Sequence, residues 1–230
     1  MSGASAPRGR AGRPARLSRE SIVAAAERVL RDDGPDALSM RRLAKELDST
    51  AMALYHHVRD KDELLLLVLE SHAREIPSLE LPADPRQRLL AAALVLYERL
   101  AERPWIVEVL AADPLVVPSA MPMVEVMMAA AVACGHTPEQ AVDVYRTLWY
   151  YIVGDLVMRA NRERRRAGNA ASDRAAALDR ADALADLDVS ALPTVAAVAD
   201  RWAELTVRDT HRHGLAAIVA GLLPPAVRPE

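Results

Sequence analysis

The 230-residue chain contains no phenylalanine, one cysteine (Cys134) and two lysines (Lys45 and Lys61). A single cysteine excludes an internal disulfide and a cysteine-rich zinc site. No apolar run approaches the ~20 residues that span a bilayer, and no apolar signal core opens the chain, so the expectation is a cytoplasmic protein. Without phenylalanine, Met, Tyr and Trp must fill the volume that Phe would normally occupy in a core. The scarcity of lysine beside abundant arginine and alanine has the look of GC-rich coding, so arginine frequency alone carries little functional weight. What is plentiful is apolar surface: 51% of the residues are hydrophobic. A mean hydropathy of +0.01 is that of a soluble chain able to build a sizeable core.

The net charge of −3 conceals an asymmetry. Residues 1–61 hold 12 Lys/Arg against 8 Asp/Glu, and the rest of the chain holds 17 against 24. A basic head on an acidic body points to a polyanion met by the head alone. The opening "PRGRAGRPARLSR" has almost no apolar surface and reads as a flexible basic arm over 1–17. It is either a solvated terminus or an arm whose Arg10, Arg13 and Arg16 enter a narrow minor groove, where the potential is most negative. Gly12-Arg13-Pro14 resembles the core of an AT-hook, over three residues only.

Helical signals follow in close order. Ser18 is an N-cap, and Ile22, Ala25, Ala26, Val29 and Leu30 share one face until Gly34-Pro35 ends the helix. Ser39 caps a shorter helix with Leu43, Ala44 and Leu47 inward. Asp48 stands where a glycine would be usual in the next turn, and Asp tolerates left-handed backbone. Thr50 then caps a third helix, and Asp60 with Glu63 reads as a capping box for a fourth. The first three helices make a helix-turn-helix pattern. "IPSLELPADP" reads as a stiff break.

Beyond the break, Asp84-Pro85 opens a helix to Leu100 and Pro104 opens another to Ala112. Residues 118–134 form a Met-rich helix, and a T-x-x-Q box at Thr137–Gln140 starts a long one through Arg166. On that helix Tyr145, Leu148, Trp149, Ile152 and Leu156 make one apolar face, while Tyr150, Tyr151 and Val153 make the other side apolar too. A helix apolar nearly all round must be covered on two sides, and a second subunit is the natural second cover. Residues 167–192 read as a loop, and 194–223 as a final helix or helix pair. No strand alternation is convincing, so the expected fold is all-α. It comprises a helix-turn-helix domain over 18–68 and a larger helical domain over 69–225.

Ser39-Met-Arg-Arg-Leu-Ala, then Leu54-Tyr55-His56-His57-Val58, then Lys61-Asp62-Glu63-Leu64 resemble the DNA-binding domain of the tetracycline-repressor (TetR) family. The resemblance covers roughly residues 18–68, and "HRHGLAAIVAGLL" is similar to the closing helix of one branch. In helix-turn-helix proteins the second helix of the motif lies in the major groove. Here Ala51, Met52 and Ala53 would approach bases and thymine methyls, and Arg41 is the candidate for a bidentate contact to guanine. The resemblance implies that Tyr55, His57 and Lys61 hold phosphates and that His56 meets a base or a phosphate. Thr50, at a helix N-terminus, also suits a phosphate.

The resemblance further implies that the body dimerises and holds a small-molecule effector. Candidate lining residues are Tyr97, Trp105, Met123, Met127, Tyr145 and Trp149, since methionine adapts to irregular apolar pockets, though such stripes also build ordinary cores. The arginines Arg159, Arg162, Arg164, Arg165 and Arg166 read as a solvated helix C-terminus favoured by the dipole and pairing with nearby aspartates. His211 and His213, two apart, do not share a helical face, so no metal is expected. No catalytic constellation, Gly-rich phosphate loop or cofactor motif is present, which argues against an enzyme. The expected function is a sequence-specific DNA-binding transcriptional regulator: a homodimeric repressor released from a pseudo-palindromic operator by a small apolar or amphipathic ligand. The alternatives are a dimeric regulator without an effector, or an activator.

Overall fold

A computed structural model describes residues 17–75, 80–112, 115–168 and 191–225, with the side chains of 166–168 outside that description. The arm arginines Arg10, Arg13 and Arg16, most of the 167–192 loop and part of the proline-rich break lie outside the described residues. Every regular element among the described residues is helical. The chain divides into two compact units, Met1–Ser71 and His72–Glu230.

In the first unit, α1 (Arg19–Asp33) is opened by Ser18, whose side chain accepts the Ser21 N–H, and is closed by Gly34 at φ 82°. A left-handed φ of this size suits glycine, which has no Cβ to clash. A 3-10 turn, Pro35–Ala37, leads to α2 (Met40–Glu46), α3 (Ala51–Tyr55) and α4 (Lys61–Ala73), the last of which crosses into the second unit. Ile22, Leu30, Leu43, Leu54 and Leu64 are wholly buried and tie α1 through α4 together.

In the second unit, Asp84 caps α5 (Pro85–Ala101), followed by α6 (Pro104–Ala112) and α7 (Met121–Ala133). The Thr137–Gln140 box forms in both directions: the Gln140 side chain accepts the Thr137 N–H at 2.9 Å, and Thr137 Oγ1 accepts the Gln140 N–H at 3.3 Å. It starts α8 (Pro138–Gly168), 31 residues long. Packing runs mainly between α5 and α7 and between α7 and α8, with α6 also against α8.

The stretch expected as one final helix or helix pair is broken. It forms α9 (Pro193–Ala196), a 3-10 turn, α10 (Trp202–Leu205) and only then α11 (His211–Leu222). Asp209 supplies a reason: its carboxylate accepts from the His211 backbone and ring, a local bond that competes with helical continuation. α11 packs on α5 and α8, and Gly214 permits this approach, because a Cβ there would sit 2.6 Å from Tyr151 Cζ.

Candidate functional site

The helix-turn-helix is assembled from local bonds. Ser39 Oγ accepts the Arg42 N–H at 3.2 Å and starts α2. Leu47 ends it, and Asp48 takes φ 46°, the left-handed conformation that the short turn needs. The Ser49 N–H returns to the Ala44 carbonyl at 2.8 Å, and Thr50 Oγ1 accepts the Ala53 N–H at 3.2 Å. α3 is therefore held at its start by a side-chain cap and in its middle by Leu54, with Val58 buried just beyond it.

This anchoring fixes what faces outward. Met52 is 70% exposed and Tyr55 47%, both large for solvent-facing side chains. His56 is exposed, while Ala51, Ala53 and His57 are half-buried. Of the adjacent arginines on α2, Arg42 is occupied by Asp33 (2.5 Å) and Glu46 (3.3 Å). Arg41 is exposed and makes no hydrogen bond or ion pair with the described residues, so its guanidinium is available to a ligand. Lys61 is more constrained than a free surface lysine: its Nζ donates to the Pro35 carbonyl at 3.3 Å, which leaves two N–H groups for an anion.

The expected Asp60/Glu63 box forms only in part. Asp60 accepts the Glu63 N–H at 2.8 Å, but the Glu63 carboxylate reaches one residue further back, to the Arg59 N–H at 2.7 Å. It also pairs with the Arg59 side chain and with Arg19 at the start of α1. The Arg59 N–H, first among these, holds the Glu63 carboxyl below the usual carboxylate range.

The six residues expected to line a ligand site lie on α5, α6, α7 and α8 of the second unit. Trp105, Met123 and Met127 are buried core. Trp105 meets the His72 ring edge-on at 5.3 Å. Tyr145 and Trp149 are half-buried neighbours on α8, with centroids 6.4 Å apart. Only Tyr97 lines the described cavity, which has a volume of about 210 Å³ and also involves Asp155, Arg159, Arg162, Asp209 and Thr210. The Tyr97 hydroxyl donates to Asp155 at 2.6 Å, and its ring stacks on His211 at 4.1 Å. Burial, reinforced by Asp155, pushes the Tyr97 hydroxyl up to about 12. The group is therefore a neutral donor at physiological pH. Asp155 and Thr210 were not among the expected site residues, and Arg162 was expected only as part of a solvated helix end. The available signal was Asp155 itself, the one charged residue in the stretch 148–158 of α8, set between the apolar Ile152 and Leu156.

Two arginines near the end of α8 are tied to acids. Arg164 binds Glu108, and Arg159 binds Glu163 at 3.2 Å and approaches Asp209 at 4.0 Å. The α8 face away from the packed stripe is open: Tyr150 is 61% and Met158 64% exposed, with Val142 nearby on the same helix at 40%.

Residues 22–68 match the family described as bacterial regulatory proteins, tetR family, and residues 80–224 match the tetracyclin repressor-like C-terminal domain. The chain belongs to the tetR family. This tetR-family chain is 32% identical over 142 residues to an HTH-type transcriptional regulator of Saccharopolyspora erythraea, covering 61% of the chain and 60% of that protein. It is 36% identical over 146 residues to the HTH-type transcriptional repressor DrrR1 of Streptomyces coeruleorubidus, covering 60% of the chain and 52% of the relative. The chain thus spans between half and two thirds of the length of these curated relatives. Among solved structures it is similar to the TetR family protein ActR of Streptomyces coelicolor in complex with actinorhodin. That likeness has a TM-score of 0.71 at 28% identity over 90% of this chain and 97% of ActR.

Proposed function

We propose that this tetR-family protein is a homodimeric, sequence-specific DNA-binding repressor that a small molecule releases from its operator. The observation that carries the reading is α3: a five-residue helix pinned from inside by Leu54 and capped by Thr50, with Met52, Tyr55 and His56 left to solvent. A helix that spends a buried leucine and a cap on holding bulky side chains outward is suited to enter a major groove.

In this reading Ala51, Met52 and Ala53 approach base edges and thymine methyls, and Arg41, unengaged within the described residues, takes a guanine. Tyr55, His57 and Lys61 bind phosphates, His56 a phosphate or base, and Thr50 a phosphate at the start of α3. Arg10, Arg13 and Arg16 add minor-groove contacts. Two copies joined through the open α8 face set two α3 helices about 34–36 Å apart, one turn of duplex. The likeness to the repressor DrrR1 supports repression, and the likeness to ActR in complex with actinorhodin supports response to a small-molecule ligand. α4 is the covalent link through which a change in the body reaches the head. Moving an equilibrium from 1:99 to 99:1 requires an effector preference of about 5.5 kcal/mol for the non-binding form.

Tyr55→Ala tests the docking. Loss of one hydrogen bond to a charged phosphate is expected to weaken operator binding by about 1.5–3 kcal/mol, with the dimer intact by sedimentation. Unchanged affinity would show that Tyr55 does not face DNA.

A further inference from the structure

The cavity between the end of α5, the second half of α8 and the approach to α11 has an uneven charge pattern. Each carboxylate in its wall already has a partner. Asp155 accepts from Tyr97, Glu163 from Arg159, and Asp209 from His211 at 2.5 Å. Arg208 is likewise paired, with Glu204 outside the wall at 2.5 Å.

Arg162 differs from all of these. Its Nε donates to the Met158 carbonyl and its Nη1 to the Thr206 carbonyl, each at 3.3 Å. Two carbonyl bonds hold the guanidinium in place without neutralising it, and no carboxylate among the described residues meets it. Its Nη2 edge meets no acceptor among the described residues. A partly enclosed, positioned and uncompensated guanidinium is the group that a carboxylate satisfies best, through a charge-assisted hydrogen bond.

Size and lining narrow the ligand. About 210 Å³ falls below the roughly 300–1,000 Å³ of drug-sized pockets. Beside the Tyr97 ring, Val207 supplies the apolar part of the wall, whereas Thr210 offers a hydroxyl and Asp155 keeps a second oxygen beside the one that Tyr97 occupies. Such a wall suits hydroxyl groups and disfavours an apolar body, which would strip water from these polar atoms without replacing its bonds.

We propose that this cavity binds a small hydroxylated carboxylic acid, with its carboxylate on Arg162 and its hydroxyls toward Thr210 and Asp155. The site goes beyond the DNA-binding reading and does not depend on it.

The test is calorimetric titration of the full chain with shikimate, gluconate and salicylate, and with methyl shikimate as the uncharged counterpart of the first. At least one acid is expected to bind with a Kd below about 10 mM, and Arg162→Gln is expected to weaken it about tenfold or more. Methyl shikimate should bind more weakly than shikimate to the wild type and be indifferent to Arg162→Gln. Should Arg162→Gln fail to fold by thermal melting, Arg162→Lys, which keeps the charge but loses the fork, should show a smaller loss of acid binding. Three results would overturn the proposal: no acid binding in that range, acid and ester binding alike, or acid affinity unchanged by either substitution. Operator binding, measured in parallel by gel shift, reports on the DNA-binding reading separately, so failure of one is not mistaken for failure of the other.

Discussion

Met52 and Leu54 lie two residues apart on α3 and have opposite physical duties. Leu54 is fully buried, so Leu54→Ala removes core volume and should cost the first unit about 2–5 kcal/mol in denaturant unfolding. Met52 is mostly exposed, so Met52→Ala should move stability by no more than about 0.5 kcal/mol while altering operator preference in a binding-site selection. Tyr97 makes a pH-dependent contribution. Its pKa, raised from 10.0 to about 12 mainly by burial, means the folded state favours the neutral phenol. Its stabilising contribution is therefore complete below pH 10 and is lost as pH rises from there through about 12. Tyr97→Phe should flatten that part of the stability–pH curve. The caps were legible in the sequence because Ser18, Ser39, Thr50, Asp84 and the Thr137–Gln140 pair act within three residues of themselves. Glu63 and Arg162 were not, because their partners (Arg19, Arg59 and the Thr206 carbonyl) are chosen by tertiary packing or by a competing local geometry.

At the scale of elements, α8 is the instructive case. Ala141, Val144, Leu148, Ile152, Leu156 and Ala160 are buried in a single stripe with three- and four-residue spacing. The excess of apolar residues outside that stripe, legible from periodicity, leaves Val142, Tyr150 and Met158 on the surface. An apolar face of this kind marks an interaction site, and here its occupant is read as a second copy of the chain. Replacing Tyr150 and Met158 together with Asp should shift the sedimentation coefficient toward a monomer without unfolding the protein. The far end of the chain was less legible: the stretch 193–209 has helix-forming composition but carries no buried residue in α9 or α10. Without an apolar stripe to bury, propensity alone does not sustain a long helix. α11 does have buried residues, Leu215 and Val219, and Gly214 lets Tyr151 lie close against it. Gly214→Ala should force Tyr151 aside and cost about 1–3 kcal/mol, with partial recovery when Tyr151 is reduced to Leu.

For the whole molecule, the division of charge is the property that joins fold to function. The head carries the positive excess and the body the negative one, so a duplex is drawn to one end of the chain. Deleting residues 1–16, which removes four arginines, should lower operator affinity and flatten its salt dependence. Every phosphate left without its arginine takes about 0.9 off the slope of log K against log salt. An unchanged slope would make the arm a solvated terminus. The helical class and the helix-turn-helix could be read from periodicity and caps. The ligand cavity could not, because it is lined by residues from three separated segments that no local spacing connects. The most direct test of the account is a gel shift, against excess competitor DNA, on the region upstream of the protein's own gene, followed by footprinting of the shifted band. The account predicts a protected inverted repeat with half-sites about one helical turn apart. Binding that competitor abolishes, with no localised protection there or on a genome-wide library of fragments, would contradict it.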